Sequence, residues 1–300
     1  TISFWIKLGN IPSGTNGGTF FGTSGDNHRG QFFNQEFYFG NANYWINTTA
    51  VVRDPSSWYH VVYVVDTTQG TTSNRQKIYV NGVLQGRGDT ISDPSQNATF
   101  DYFNNSSQTY YIGRRQSGNY FNGYLAEIHF IDGYAYDASY FGFTEQQTGN
   151  WRPKKVTGIT YGTNGFHLEF KDNSSTSALG KDTSGNGHNF TTNNFGVGTG
   201  INNDSVEDTP TNNWATLNPL HWNVLKGAGG TSNGSDFTQA NLRFVSPSSV
   251  TSPYKRSTGS TIEVSSGKWY YEVTVENTDN GVDIGFAGKD SLDTNGNWTG

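Results

Sequence analysis

The sequence predicts an all-β protein built from two-layer antiparallel sandwich modules, and three observations carry that expectation. Short runs of β-branched and aromatic residues alternate with turn text of Gly, Asn and Ser, and helical periodicity is scarce. Aromatic residues make up 15% of the chain and all hydrophobic residues only 32%, so the apolar content is concentrated in strand-forming types. Charged residues make up 15%, below the roughly 25% of an ordinary globular domain, which leaves Asn, Ser, Thr and Gly to cover the surface.

The elements follow in order. Thr1–Lys7 reads as a strand, and a chain that opens inside a strand and contains no Met is expected to be a piece of a longer protein. Trp58–Asp66 carries β-branched and aromatic residues at both parities, the pattern of a central strand covered on both faces. Gln76–Gln85 reads as a hairpin whose Asn81-Gly82 pair supplies a type I′ turn. Tyr110–Arg114 and Gly123–Asp132 are two further strands joined by a polar loop around Ser117-Gly118-Asn119, and long loops are expected at 10–18, 67–75 and 86–108. Trp151-Arg152-Pro153 stops the preceding element, Phe166–Phe170 alternates as one strand, and the rest of 151–220 reads as a connector. Strands resume at Leu242–Val245, Ser260–Val264 and Gly267–Glu276. Length supports two modules: a sandwich over 1–150 and part of a second over 221–300.

Composition excludes several function classes. A net charge of -6 with no Lys/Arg run gives no electrostatic footprint for nucleic acid. No stretch approaches the roughly 20 apolar residues of a membrane span. The absence of Cys rules out disulfides and thiolate metal sites.

The ordered set Phe4-Trp5-Ile6-Lys7, Trp58-Tyr59-His60-Val61, Ile78-Tyr79-Val80-Asn81-Gly82, Tyr111-Ile112-Gly113 and Gly123-Tyr124-Leu125-Ala126-Glu127-Ile128 resembles the concanavalin A-like lectin superfamily, in its laminin-G-like or pentraxin-like branch. That resemblance implies a two-sheet jelly roll, often used for glycan or protein binding. The sequence departs from it at Tyr124 and Ala126, where the family often carries an acidic residue. Asp182–Phe190 is similar to the Asp-x-Ser-Gly-Asn-Gly loop that opens many laminin-G-like domains. Gly267–Val273 with Val282–Ala287 resembles the opening strands of a SPRY domain, and Asp208–Asn213 with Leu217–Leu220 resembles the style of bacteriophage virion proteins.

Catalytic constellations are sparse. No Glu-x-Asp-x-x-Glu run offers the paired carboxylates of a glycoside hydrolase. Glu272 and Glu276 share parity on one strand and read as a solvated face. No Gly-x-Ser-x-Gly elbow or phosphate loop is present. His28, His60, His129, His167, His188 and His221 lack metal-helix spacing, so no metal centre is expected on them, and His60 and His129 read as structural neighbours in a sheet.

Two sets of binding residues remain. Tyr102, Arg114, Arg115, Asn119 and Tyr120 combine aromatic and hydrogen-bonding groups suited to a sugar ring, and equally suited to a protein interface or core. Asp182, Ser184 and Asn186 are the candidates for calcium, which takes about six to eight oxygens, with an Asx-type turn as the other reading. No other cofactor is expected. The functional expectation is a non-enzymatic virion structural or adhesion protein, such as a phage tail fibre, at the virion surface or otherwise extracellular. Its expected partners are virion proteins or a host-surface glycan, and the virion-fibre likeness implies a trimer. The alternatives are a secreted polysaccharide-active enzyme with a lectin-like module, and a bacterial surface adhesin.

Overall fold

In the computed structural model, the described residues are 1–14, 17–89, 91–116, 118–198, 203–224, 237–245, 256–276 and 284–286. They divide into two units, Thr1–Trp214 and Ala215–Gly300.

The first unit is a β-sandwich. One sheet has six antiparallel strands in the order β13 (Phe166–Leu168), β10 (Gly123–Phe130), β1 (Ile2–Leu8), β6 (Trp58–Val65), β7 (Gln76–Val80) and β8 (Val83–Leu84). The other has five in the order β5 (Trp45–Val51), β4 (Glu36–Gly40), β3 (Arg29–Phe33), β2 (Thr19–Thr23) and β9 (Tyr110–Ile112). The strand expected at Phe166–Phe170 is thus the edge strand of the larger sheet, and the residues read as a connector contribute to it.

Alternation explains the core. Ile2, Phe4, Ile6 and Leu8 of β1 point inward with Val61, Tyr63, Ile78 and Ile128, and meet Phe20, Phe32, Phe37, Phe39 and Ile46 of the smaller sheet. The meeting is largely aromatic: Phe4 lies 4.9 Å edge-on from Phe21 and Phe39 stacks 4.7 Å from Tyr63. Such pairs add about 0.5–1.5 kcal/mol each beyond the area they bury.

The opposite face of the six-stranded sheet is also covered. Val62 and Val64 of β6 pack with Ile131, Ala138, Phe141, Trp151 and Tyr161 of the segment that follows β10. The ribbon β11 (Gly142–Thr144) and β12 (Trp151–Pro153) belongs to this cover. Both parities of β6 are therefore buried, as its sequence predicts.

In the second unit, Leu217–Val224 pairs with Arg256–Ser260, and Phe237–Thr238 pairs with Arg243–Phe244. Residues expected as strand at 261–264 and 267–276 are not in a strand, and Trp269 and Tyr270 are exposed. Their strand-like text has no ladder partner among the described residues, and a strand is defined by that pairing. Of the SPRY-like run, Val282, Asp283 and Ala287 lie outside the described residues. No helix among the described residues is long and apolar enough to cross a membrane.

Candidate functional site

Two regions of the first unit concentrate chemistry: the loop after β9, and the covered face of the six-stranded sheet.

The loop is held at several points. Arg115 N donates to Gly118 O at 3.0 Å, Phe121 N to Gly113 O at 2.9 Å, and Thr19 N to Asn119 O at 3.1 Å. Asn119 takes a left-handed φ of 51°, which Asn tolerates, and its side chain donates to Thr19 Oγ1 at 2.9 Å. Arg115 forks onto Asp26, with Nε 2.7 Å from Oδ1 and a second bond to Oδ2. Arg114 lies over the Tyr111 ring at 4.3 Å. Tyr120 is 67% exposed. Sequence reasoning therefore names one coherent loop in Arg114, Arg115, Asn119 and Tyr120, while Ser117 lies outside the described residues. Tyr102 is elsewhere: it is buried in the core against Phe103 and Tyr63, its hydroxyl has no partner among the described residues, and burial raises its pKa well above the ordinary value.

The covered face displays every second residue of its strands. On β1 these are Ser3, Trp5 and Lys7, opposite His129, Ala126 and Tyr124 of β10 and Val62, His60 and Trp58 of β6. Lys7 is fully buried and donates all three ammonium protons: to Asp208 Oδ2 at 2.6 Å, Asn213 Oδ1 at 2.8 Å and Trp214 O at 2.7 Å. Burial lowers its pKa, opposed by Asp208. Trp58 Nε1 donates to the other Asp208 oxygen at 2.8 Å, and Asn213 Nδ2 to Ser56 O at 2.7 Å. The Asp208–Asn213 run is thus a strap over the sheet, a role that sequence reasoning did not assign.

His60 and His129 lie on strands either side of β1. Trp151 Nε1, which can only donate, lies 3.0 Å from His60 Nδ1, so Nδ1 accepts and Nε2–H donates to Ser3 Oγ at 2.9 Å. Burial lowers the His60 pKa to about 3, in keeping with a ring whose Nδ1 lone pair is already used.

His129 faces His167 directly across β10 and β13, and the rings stack 3.9 Å apart. His129 Nδ1 is 2.8 Å from Tyr161 OH, and His167 Nδ1 is 2.9 Å from Thr183 Oγ1. Both Nε2 edges face Glu127, whose Oε2 lies 3.0 Å from His167 Nε2 and 3.8 Å from His129 Nε2. One donor atom from each of Glu127, His129 and His167 lies within 4.8 Å of the others. Sequence reasoning missed this grouping; the signal present was an outward His on each of two alternating strands, with no information on pairing.

Asp182 anchors a turn. Its Oδ1 accepts from His167 N and Ser184 N, and its Oδ2 from Ser184 Oγ and His188 N, all at 2.8–2.9 Å. Burial pushes its pKa up, and these bonds outweigh that and hold it low. Asn186 donates to Gly162 O and Gly165 O at 2.7 and 2.8 Å. Among the two acidic residues of the second unit considered for catalysis, Glu276 pairs with Arg243 at 2.8 Å and Glu272 accepts from Tyr270 OH at 3.3 Å.

No curated protein matches the chain. Among solved structures it is similar to domain 4 of AbnA, a GH43 extracellular arabinanase from Geobacillus stearothermophilus in complex with arabinotriose, at 22% identity and a TM-score of 0.29. The match covers 42% of this chain and 57% of that one. Residues 1–137 match a family model, Laminin_G_3, described as the concanavalin A-like lectin/glucanases superfamily, and the antiparallel β-sandwich of the first unit is consistent with that likeness.

Proposed function

We propose that the Thr1–Trp214 unit is a non-catalytic recognition module that binds a surface glycan through the loop Gly113–Phe121. One observation carries the reading: Tyr120 stands exposed on the same loop as Arg114, which lies over Tyr111, and that loop is fixed by backbone bonds and by Arg115 to Asp26. An aromatic face stacks on a sugar ring, guanidinium and amide groups bond its hydroxyls, and a pre-ordered loop loses little entropy on binding. The proposed setting is an exposed virion appendage such as a tail fibre, in which the same loop meets either a host glycan or a neighbouring virion protein.

The test is a glycan array probed with the whole chain, alongside a search for reducing ends released from each glycan bound. Retention without cleavage is expected. Turnover of a bound polysaccharide, lost on changing one carboxylate, would replace this reading with the enzymatic one.

A further inference from the structure

We propose that Glu127, His129 and His167 form a binding site for a divalent transition-metal ion of the zinc class on the covered face of the six-stranded sheet.

The geometry suits coordination. Zinc holds nitrogen and oxygen donors at about 2.0–2.2 Å, which places tetrahedral donors about 3.3 Å apart. Glu127 Oε2 stands 3.0 Å from one imidazole Nε2 and 3.8 Å from the other, on either side of that spacing. The rings lie nearly parallel, with both Nε2 edges turned toward Glu127 Oε2. Two imidazoles and a carboxylate suit zinc rather than calcium, which takes oxygen.

The surroundings are those of a metal site. Each histidine has its other ring nitrogen on a hydroxyl, His129 Nδ1 on Tyr161 and His167 Nδ1 on Thr183. A hydroxyl both donates and accepts, so each ring can carry its proton on Nδ1 and leave Nε2 to the ion, with no net proton lost. Glu127 is 45% exposed, so an ion has a way in.

Glu127 is also held at a backbone cost. The β1–β10 register shifts between Ser3 and Trp5, so that Glu127 and Ile128 together oppose Phe4, and Glu127 takes φ of 50°. Left-handed conformations of side-chain-bearing residues are unfavourable, and glycine or asparagine would fit more easily. The bulge keeps Ile128 in the core and leaves the carboxylate beside the two histidines on the opposite face.

The test titrates the whole metal-free chain with zinc chloride at neutral pH by calorimetry. Equimolar binding is expected, weakened at least about tenfold by Glu127→Gln and by His167→Gln, and about tenfold or more by Tyr161→Phe, which removes an outer partner and no ligand. His129 is buried, so its variants risk misfolding. Glu127→Gly provides the safer arm: it is expected to melt no lower than the parent without metal while losing the zinc response. Absence of equimolar binding, or equal binding by parent, Glu127→Gly and His167→Gln, would overturn the proposal. In a second readout, zinc is expected to move the Nε2 resonances of His129 and His167; a shift confined to His28 or His188 would contradict it.

Discussion

His60 shows how a single side chain can set a pH response. Its Nδ1 accepts from Trp151 and its Nε2–H donates to Ser3, so protonating it breaks the Trp151 bond and charges a buried ring. The folded pKa is lowered from 6.5 to about 3. Between those values the unfolded chain binds a proton that the native state refuses, so stability falls as pH drops from about 6.5 toward about 3, and this contribution is complete above 6.5. The loss is on the order of a few kcal/mol at one unit per 1.36 kcal/mol. Urea midpoints across that window are expected to fall less steeply for His60→Gln than for the parent, and parallel curves would contradict the assignment. Lys7 makes a parallel case. Asp208→Asn leaves a buried ammonium without its counter-charge and is expected to cost about 3–5 kcal/mol by chemical unfolding, whereas Lys7→Met combined with Asp208→Leu is expected to cost clearly less than either change alone.

At the scale of elements, the hairpin β7–β8 links local turn chemistry to the cover of the sheet. Asn81 and Gly82 have φ of 48° and 80°, as a type I′ turn requires, and a Cβ on Gly82 would sit 2.4 Å from Trp151. Gly82→Ala is expected to cost more than the ~1 kcal/mol of an ordinary turn glycine and to shift Trp151 fluorescence, because the backbone and the indole are both opposed. This hairpin and β6 were legible because their signals lie within about ten residues. The smaller sheet was less so: no individual strand between Thr19 and Val51 was named, although Phe20, Phe32, Phe37 and Phe39 alternate into the core. The run 267–276 was read as strand on text that resembles β6, and only pairing distinguishes the two. The same limit hid the histidine pair: His129 and His167 meet because β13 docks on β10, a register that no local pattern encodes. Of the five residues named from the sequence, Arg114, Arg115, Asn119 and Tyr120 share one loop, whereas Tyr102 lies in the core, because an aromatic beside Asn looks alike in a loop and in a core.

Across the molecule, the first unit extends through Trp214 because the outer face of its larger sheet needs covering. Ending the chain after Asn150 removes Trp151, β13 and the Asp208 strap, and uncovers Trp58 and the buried Lys7. A fragment of residues 1–214 is expected to unfold in one cooperative transition, and a fragment of 1–150 to aggregate or bind a hydrophobic dye; equal stability would show that the cover is dispensable. A sandwich buried on both faces of one sheet is a stiff base for a small exposed loop, and that stiffness is central to the recognition account. The most direct measurement is the affinity of the parent and of Tyr120→Ala for the glycans retained on an array, with melting temperatures recorded together. The account predicts a loss of about thirtyfold, the size of an aromatic anchor, at an unchanged melting temperature. Undiminished binding by Tyr120→Ala would contradict it.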